Sequence, residues 1–444
     1  MNSPYTETLW HVTVLSNFAR AYDKYTRNYS KELIPESTFP NRFFLLRENE
    51  LDIGVQKASR LQAKLGLSGN KLIALRTQVS ANQLNPNLRT GLGRFVNSST
   101  IRIDEVAFVE GIVANIQLVP APIEEVIALS FRLLSPQLHD YPEIMPRSLS
   151  VLPIARGCQA SCPFCFSEAS ASADQEQDKL DLVNLRRFAI SAKSRGAERF
   201  VITGGGEPGL LRHDRIKDVI NLGFNTLGKT VLITNGHHLA GREPVALESM
   251  LADYADHGLA VLALSRHHYD EDVCERLMTL RTNVTAIAKA WEMGSAKWPN
   301  LRLRFTCVLQ KGCVDNIEEM AAYVDWASSL GVTEICFKEL YVSTSVESVY
   351  HRHAANEWSY ANQVPLSLVL EFASRHSFEE IARLPWGAPV FRGLWKGRVM
   401  QIAAYTEPTL FWERANGIAR SWNVMSDGRC LASLEDRESE VLIS

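Results

Sequence analysis

The feature that most constrains the fold of this chain is a regular alternation of apolar and helical segments between residues 148 and 342. Helical periodicity is clear in residues 178–196, where apolar side chains recur every three to four positions up to Gly196. Six short apolar segments are predicted to be strands: residues 148–155, 199–203, 230–234, 259–264, 301–309 and 334–340. Near-continuously apolar strands that alternate with helices are typical of a parallel sheet covered by helices.

Such a sheet is either doubly wound or part of a full or partial βα barrel. Polar and glycine-rich residues gather after the carboxyl ends of the predicted strands, and a barrel places all of these segments around one mouth. They lie at residues 158–165, 204–208, 235–238, 265–269, 310–313 and 339. We therefore predict an α/β protein with a partial (β/α)6 TIM-like barrel over residues 148–342.

The flanking regions have different patterns. Residues 1–147 predict an N-terminal accessory domain of α+β or β-rich character, with strands near 42–46, 71–77, 99–107 and 112–119 and helices near 52–65 and 123–133. Residues 343–444 predict a helix near 366–375 followed by turn-rich strands. We interpret this region as a small C-terminal β extension that covers the barrel.

Composition excludes several functional classes. The 444 residues are 46% hydrophobic and 22% charged, which is typical of a globular protein. A net charge of −3 gives no basic field for nucleic acid, and no apolar run is long enough for a membrane helix. The N-terminus lacks the pattern of a secretory signal, and the eight cysteines are too sparse for a disulfide framework. We expect a cytoplasmic protein with reduced thiols.

Three of these cysteines form a C-x₃-C-x₂-C cluster: Cys158, Cys162 and Cys165. An iron–sulfur cube normally takes four thiolates, so three ligands hold three irons and leave the fourth open to another molecule. The alternative is half of a zinc site, but neither a second C-x₂-C nor an H-x₃-H lies nearby. An iron–sulfur cluster with one open coordination position is therefore the first hypothesis.

Beyond the spacing, the chain resembles the radical S-adenosylmethionine (radical SAM) superfamily over about residues 148–342. The cysteine signature follows the first predicted strand, as it does in that superfamily. Further similarities occur in the same order downstream, at Thr203–Pro208 ("GGEP"), Thr234–Gly236 ("TNG"), Ser265, and Phe337–Leu340, which resembles the molybdenum-cofactor cyclase-like branch. Arg266 and His267 depart from the residues that usually follow the serine.

The resemblance implies two cofactors, a [4Fe–4S] cluster and S-adenosylmethionine, and a reaction in which a single electron cleaves the latter to a 5′-deoxyadenosyl radical. It implies that Cys158, Cys162 and Cys165 bind the cluster. The residues implied to contact S-adenosylmethionine are Phe164, Gly204, Gly205, Gly206, Glu207, Asn235 and Ser265. Glu207 is the expected acceptor for the methionyl ammonium group.

The expected function is abstraction of a hydrogen atom from an unidentified small metabolite or peptide. Histidines cluster after the predicted strands, and His267 and His268 are the favoured catalytic candidates. Cys313 follows the fifth strand, where a thiol would return a hydrogen atom to a substrate radical; a small loop hydrophobe is the plainer interpretation. The expected partners are the substrate and an external one-electron reductant of flavodoxin or ferredoxin type, with no nucleic acid and no membrane. The alternative function is a non-catalytic iron–sulfur carrier or sensor.

Overall fold

A computed structural model describes residues 139–170, 180–343 and 348–443, together with shorter parts of the N-terminal region. Those parts are residues 6–14, 33–35, 51, 55, 56, 58, 72–80, 100–102, 105–110, 117–121 and 126. The chain divides into two compact units, Met1–Gln137 and Leu138–Ser444. The domain boundaries predicted at residues 147 and 342 stay predictions.

The N-terminal unit contains an antiparallel sheet of four strands in the order β1-β3-β5-β6 and a separate β2-β4 pair. The strands are β1 (Thr6–Val14), β2 (Leu33–Pro35), β3 (Leu72–Ser80), β4 (Thr100–Arg102), β5 (Glu105–Glu110) and β6 (Gln117–Ala121). Trp10 and Val12 of β1 pack with Val55 and Ala74 in its core. The strand predicted at 42–46 lies outside the described residues, as do most of the two predicted helices.

The second unit carries the predicted alternation. Its strands are β7 (Met145–Pro146), β8 (Leu149–Leu152), β9 (Phe200–Ile202), β10 (Thr230–Thr234), β11 (Leu259–Ser265), β12 (Arg302–Leu309), β13 (Glu334–Glu339), β14 (Glu379–Arg383), β15 (Pro389–Trp395), β16 (Arg398–Tyr405), β17 (Ile418–Ala419), β18 (Trp422–Met425) and β19 (Cys430–Leu431). Its helices are α1 (Leu182–Ser194), α2 (His213–Leu227), α3 (His237–Ala240), α4 (Pro244–Asp256), α5 (Glu271–Met278), α6 (Val284–Gly294), α7 (Ile317–Ser329), α8 (Ala354–Asn362), α9 (Ser367–Arg375) and α10 (Leu410–Asn416).

Strands β8 to β13 are the six predicted strands, and they lie side by side, parallel and in chain order. The prediction of an α/β fold with a parallel sheet is therefore confirmed. Several intervening helices begin where an Asp or Asn side chain accepts a hydrogen bond from a backbone N–H of the first turn. These N-caps are Asp181, Asp270, Asn283 and Asn316.

The C-terminal region adds strands to this same sheet. Strand β16 pairs in parallel with β13, and β18 pairs in parallel with β8. Antiparallel strands β15 and β14 lie beyond β16, and β19 lies beyond β18, which makes a sheet of eleven strands. Among the described strands this sheet does not close on itself. Residues predicted as a covering extension thus supply both flanks of the parallel sheet.

The two faces of the sheet differ. Phe200, Leu262 and Phe305 point toward the helices and belong to the main hydrophobic core. Val231 and Ala263 point to the other face, which lines a cavity of about 650 Å³. We call this cavity the lumen. Among the described helices, none is long and apolar enough to span a membrane.

A charged cluster links the two flanks of the parallel strands. Glu407, just after β16, accepts a hydrogen bond from Lys338 Nζ of β13 and forms a 2.6 Å ion pair with Arg420 Nη1, just before β18. The two cations outweigh burial and hold the pKa of Glu407 at about 2. Because β16 and β18 lie on opposite sides of the six central strands, this contact requires the sheet to curve around the lumen.

We expect the Glu407→Gln variant to lose about 2–3 kcal/mol of unfolding free energy, since it leaves two largely buried cations without their counter-ion. The control is Glu248→Gln, which breaks an exposed pair with Lys297 and should cost at most about 1 kcal/mol. Urea denaturation measures both. Equal losses in the two variants would show that the cluster does not hold the sheet together.

Candidate functional site

The cysteine loop leaves the carboxyl end of β8, and Cys158, Cys162 and Cys165 all line the lumen. Two backbone hydrogen bonds hold this loop against the glycine-rich loop that follows β9: Gly206 N–H donates to Ile154 O and Glu207 N–H donates to Gly157 O, each at 2.9 Å. The contact is so close that a Cβ atom on Gly206 would lie 2.1 Å from Gly157 O. Glycine at position 206 is therefore a steric requirement of this contact.

The other side of the cysteine loop rests on the end of α5. Ser161 N–H donates to Met278 O at 2.8 Å and to Thr279 Oγ1 at 3.0 Å. Thr279 ends α5 in the left-handed region with φ of 52°, an uncommon conformation for a β-branched residue. Hydrogen bonds thus fix the cysteine loop from two directions.

Polar donors approach the sulfur atoms. Ala160 N–H donates to Cys158 Sγ at 3.3 Å, Asn235 Nδ2 lies 3.6 Å from the same sulfur, and Ser167 Oγ lies 3.0 Å from Cys165 Sγ. Burial raises the pKa of the Cys158 and Cys162 thiols, and the neighbouring cysteines raise it further. Metal ions that displace the thiol protons remove this mutual repulsion.

Within the part of the chain that the structure describes, no three His, Cys, Asp or Glu side chains are already grouped to hold a metal ion. The three cysteines share one cavity wall, so their chemistry fits a thiolate-bound cluster.

Glu207 organises the glycine-rich loop. Its buried carboxylate accepts hydrogen bonds from Thr234 Oγ1, from Asn235 N–H at 2.8 Å and from Gly209 N–H at 2.8 Å. Burial raises the pKa of Glu207, while these donors lower it. A carboxylate accepts about four hydrogen bonds, so three protein donors leave room for one more.

The other residues predicted to contact S-adenosylmethionine do not all lie in the lumen wall. Phe164, Gly204, Gly206, Asn235 and Ser265 line the lumen, whereas Gly205 is buried and is not part of its wall. A Cβ atom on Gly204 would lie 1.3 Å from Gly206 O, so the turn itself requires glycine there. Asn235 is fixed by His237 N–H, which donates to its Oδ1 at 2.9 Å.

His267 lies in the lumen wall against Phe164, with ring centroids 5.1 Å apart. Val308 N–H donates to His267 Nδ1 at 3.1 Å, so the proton of the neutral ring is on Nε2. Burial, together with the charges of Arg266 and Lys338, lowers the pKa of His267 to about 3. At neutral pH this histidine is a hydrogen-bond donor.

The structure separates the other two catalytic candidates from the lumen. His268 Nε2 pairs with Glu319 at 3.2 Å, and its Nδ1 accepts from Asp270 N–H at 3.0 Å. Cys313 is half-buried outside the lumen wall, where burial raises the pKa of its thiol to about 11. Neither residue is brought together with the cysteine loop in this arrangement.

Sequence reasoning missed an aromatic group at the same end of the lumen. Phe166 stacks on Tyr350 with centroids 4.4 Å apart, and Trp358 lies 5.9 Å from Phe164. It also missed the polar residues of β16 to β18, including Tyr405 and Arg420, which line the lumen. The period-2 alternation of residues 398–405 is the signal that reveals Tyr405.

Comparison with known families gives a match to the radical SAM superfamily over residues 152–324. No protein of curated function matches the chain in sequence.

Among solved structures, Streptococcus suis SuiB bound to precursor peptide SuiA is similar, at 17% identity and a TM-score of 0.42, over 71% of this chain and 65% of that one. SuiB bound to S-adenosylmethionine aligns at 15% identity and a TM-score of 0.40, over 90% of this chain and 79% of that one. Coproporphyrinogen III oxidase (HemN) from Escherichia coli aligns at 14% identity and a TM-score of 0.33, over 56% of each chain.

We predict that His267 does not titrate between about pH 5 and 8. Its folded pKa of about 3 lies below its ordinary value of 6.5, so unfolding takes up a proton between about pH 3 and 6.5, and stability is lost as pH falls through that range. NMR of ¹⁵N-histidine-labelled protein measures the titration midpoint of His267 and shows whether its neutral ring carries the proton on Nε2. The His267 signal is assigned by its absence from the spectrum of the His267→Gln variant. A midpoint above about pH 5 would contradict the burial argument.

Proposed function

Because residues 152–324 place this chain in the radical SAM superfamily, we propose that it is a radical SAM enzyme that abstracts a hydrogen atom from a small metabolite or a peptide. The superfamily uses a [4Fe–4S] cluster and S-adenosylmethionine. When bound, these cofactors supply the electron and the sulfonium compound from which a 5′-deoxyadenosyl radical is produced.

One observation carries the proposal: the cysteine loop, the glycine-rich loop and Asn235 face a single cavity and are hydrogen-bonded to one another. Its volume of about 650 Å³ lies within the range of ligand pockets, about 300–1,000 Å³. A half-site for zinc would leave the glycine-rich loop and the buried Glu207 without a function.

We assign the cluster to Cys158, Cys162 and Cys165. Donors to the sulfurs, such as Asn235 Nδ2, stabilise the thiolate form and orient the ligands. Glu207 first holds Asn235 and the glycine turn in place, and its remaining acceptor position is assigned to the methionyl ammonium group.

The other contacts follow from their positions in the lumen wall. Gly204 and Gly206 let backbone approach the cofactor, while Ser265 offers a hydroxyl and Phe164 a stacking face. Gly205 lies outside the lumen wall, so its contact with the cofactor stays a prediction. His267 donates a hydrogen bond from Nε2 to an acceptor on the substrate; because it is already neutral and protonated there, it does not act as a base at that atom.

Epimerisation, rearrangement or crosslinking as the outcome of the reaction, the cyclase-like branch and a hydrogen-donor role for Cys313 stay predictions. So does the external flavodoxin- or ferredoxin-type reductant. The alternative, a non-catalytic iron–sulfur carrier or sensor, is separated from the enzyme by the following experiment.

We predict that anaerobically reconstituted and reduced protein releases 5′-deoxyadenosine from S-adenosylmethionine, and that Cys162→Ala abolishes the release because a cluster ligand is lost. The control is Ser161→Ala, an exposed neighbour whose backbone N–H, and not its side chain, holds the loop. Chromatography of the nucleoside product measures both. If Cys162→Ala releases as much 5′-deoxyadenosine as the control, the proposed function is wrong. If the wild-type protein binds iron and sulfide but releases no 5′-deoxyadenosine, it is the non-catalytic carrier or sensor.

We further predict that Gly206→Ala lowers iron and sulfide content after reconstitution at least tenfold, because the added methyl group collides with Gly157 O and displaces the cysteine loop. The matched control is Gly241→Ala, where a Cβ atom meets nothing within 4 Å. Iron and sulfide analysis with circular dichroism checks the result. Normal cluster content in folded Gly206→Ala would show that the two loops need not touch.

A further inference from the structure

The lumen continues to the amino ends of the strands, where its wall is strongly basic. Arg199 immediately precedes β9, Lys229 immediately precedes β10, and Arg302 and Arg304 lie on β12; all four line the lumen. We call these four residues the basic mouth. Strand alternation places them on the same face as Val201 and the other inward side chains.

The basic mouth has more positive charge than its protein partners neutralise. Arg302 and Arg304 share one buried carboxylate, Glu334, with Arg304 Nη2 at 3.0 Å from it. Among the described residues, neither Arg199 nor Lys229 forms an ion pair or a side-chain hydrogen bond.

The remaining polar neighbours do not change this balance. Arg147 and Glu198 lie at the same end but pair with each other at 3.0 Å, and Gln401 is neutral. The mouth therefore holds four cations against the single Glu334 carboxylate.

Burial and mutual repulsion destabilise this arrangement. Burial lowers the pKa of Lys229, and the charges of Arg199, Arg302 and Arg304 lower it further. Burial and the charge of Arg304 likewise lower the pKa of Arg199. An anion placed among these groups relieves the repulsion and gains charge-assisted hydrogen bonds.

We propose that the basic mouth is a binding site for a multivalent oxyanion of the phosphate class. Guanidinium groups bind such anions through paired N–H donors, and the lysine ammonium adds a compact charge. Lys229 and Asn235 flank the five residues of β10 and are six positions apart, which corresponds to about 20 Å along the strand. The anion is thus remote from the cysteine loop, and its binding does not depend on a cluster or on S-adenosylmethionine.

Two kinds of ligand carry such an anionic group: a free phosphate ion, and an elongated ligand that fills the lumen and ends in a phosphate. Val201, Val231 and Ala263 form an apolar wall just inside the mouth. An alkyl chain attached to the phosphate contacts this wall, whereas a free ion does not. If n-hexyl phosphate binds more tightly than inorganic phosphate, the natural ligand is the elongated one. If the two bind with equal affinity, it is the free ion.

The test is isothermal titration of the full-length protein with inorganic phosphate and with n-hexyl phosphate at constant ionic strength. We expect wild type to bind with a dissociation constant of about 1 mM or tighter, and Arg199→Gln/Lys229→Gln to bind at least tenfold more weakly. The control is Arg398→Gln, which removes a cation from the start of β16 that lies outside the lumen wall.

Thermal unfolding gives an independent measurement. Phosphate should raise the Tm of wild type and of Arg398→Gln, and should leave the double variant unchanged. Without added anion the double variant should melt no lower than wild type, since it loses repulsion and no ion pair. Absence of saturable binding by wild type, or equal binding by all three proteins, would overturn the proposal. If the double variant does not fold, Lys229→Gln alone must show the weaker binding.

Discussion

The candidate site depends on one buried carboxylate. Glu207 binds Thr234 and Asn235 at the end of β10 through its side chain, and its own N–H binds Gly157 just before the cysteines. It therefore joins the carboxyl ends of three neighbouring strands. A buried carboxylate is stable only when several donors surround it. The same hydrogen bonds that stabilise Glu207 thus also fix the positions of Cys158 and Asn235.

A second constraint acts on the whole lumen. An open parallel sheet has two edges, and here strands β16 and β18 extend it in opposite directions while Glu407 contacts cations from both sides. The inner face is consequently enclosed without a closed ring of strands. Enclosure lowers the local dielectric, which strengthens each charge interaction inside and makes unpaired charges costly.

The sequence was sufficient to predict β8 to β13 and their parallel order, because buried strands and amphipathic helices have distinct periods. It also predicted that the cysteine and glycine-rich loops share one end of the sheet. It did not predict that β18 pairs with β8, since such a pairing joins residues more than 250 positions apart and leaves no local pattern. The polar lumen was missed because strands such as β12 were interpreted as continuously apolar, although Arg302, Arg304 and Thr306 alternate with buried residues.

The histidines illustrate why sequence position alone does not assign a role. His267 and His268 are adjacent after β11, yet successive side chains near a strand end point to different surroundings. His267 faces the lumen and is neutral, whereas His268 pairs with Glu319 on α7. His238, in the polar segment 235–238 at the carboxyl end of β10, bonds Tyr254 at 3.1 Å and leaves no space for a side chain at Gly209. It therefore packs against Gly209, in the turn that follows Glu207, so a larger residue at position 209 would displace either the ring or that turn.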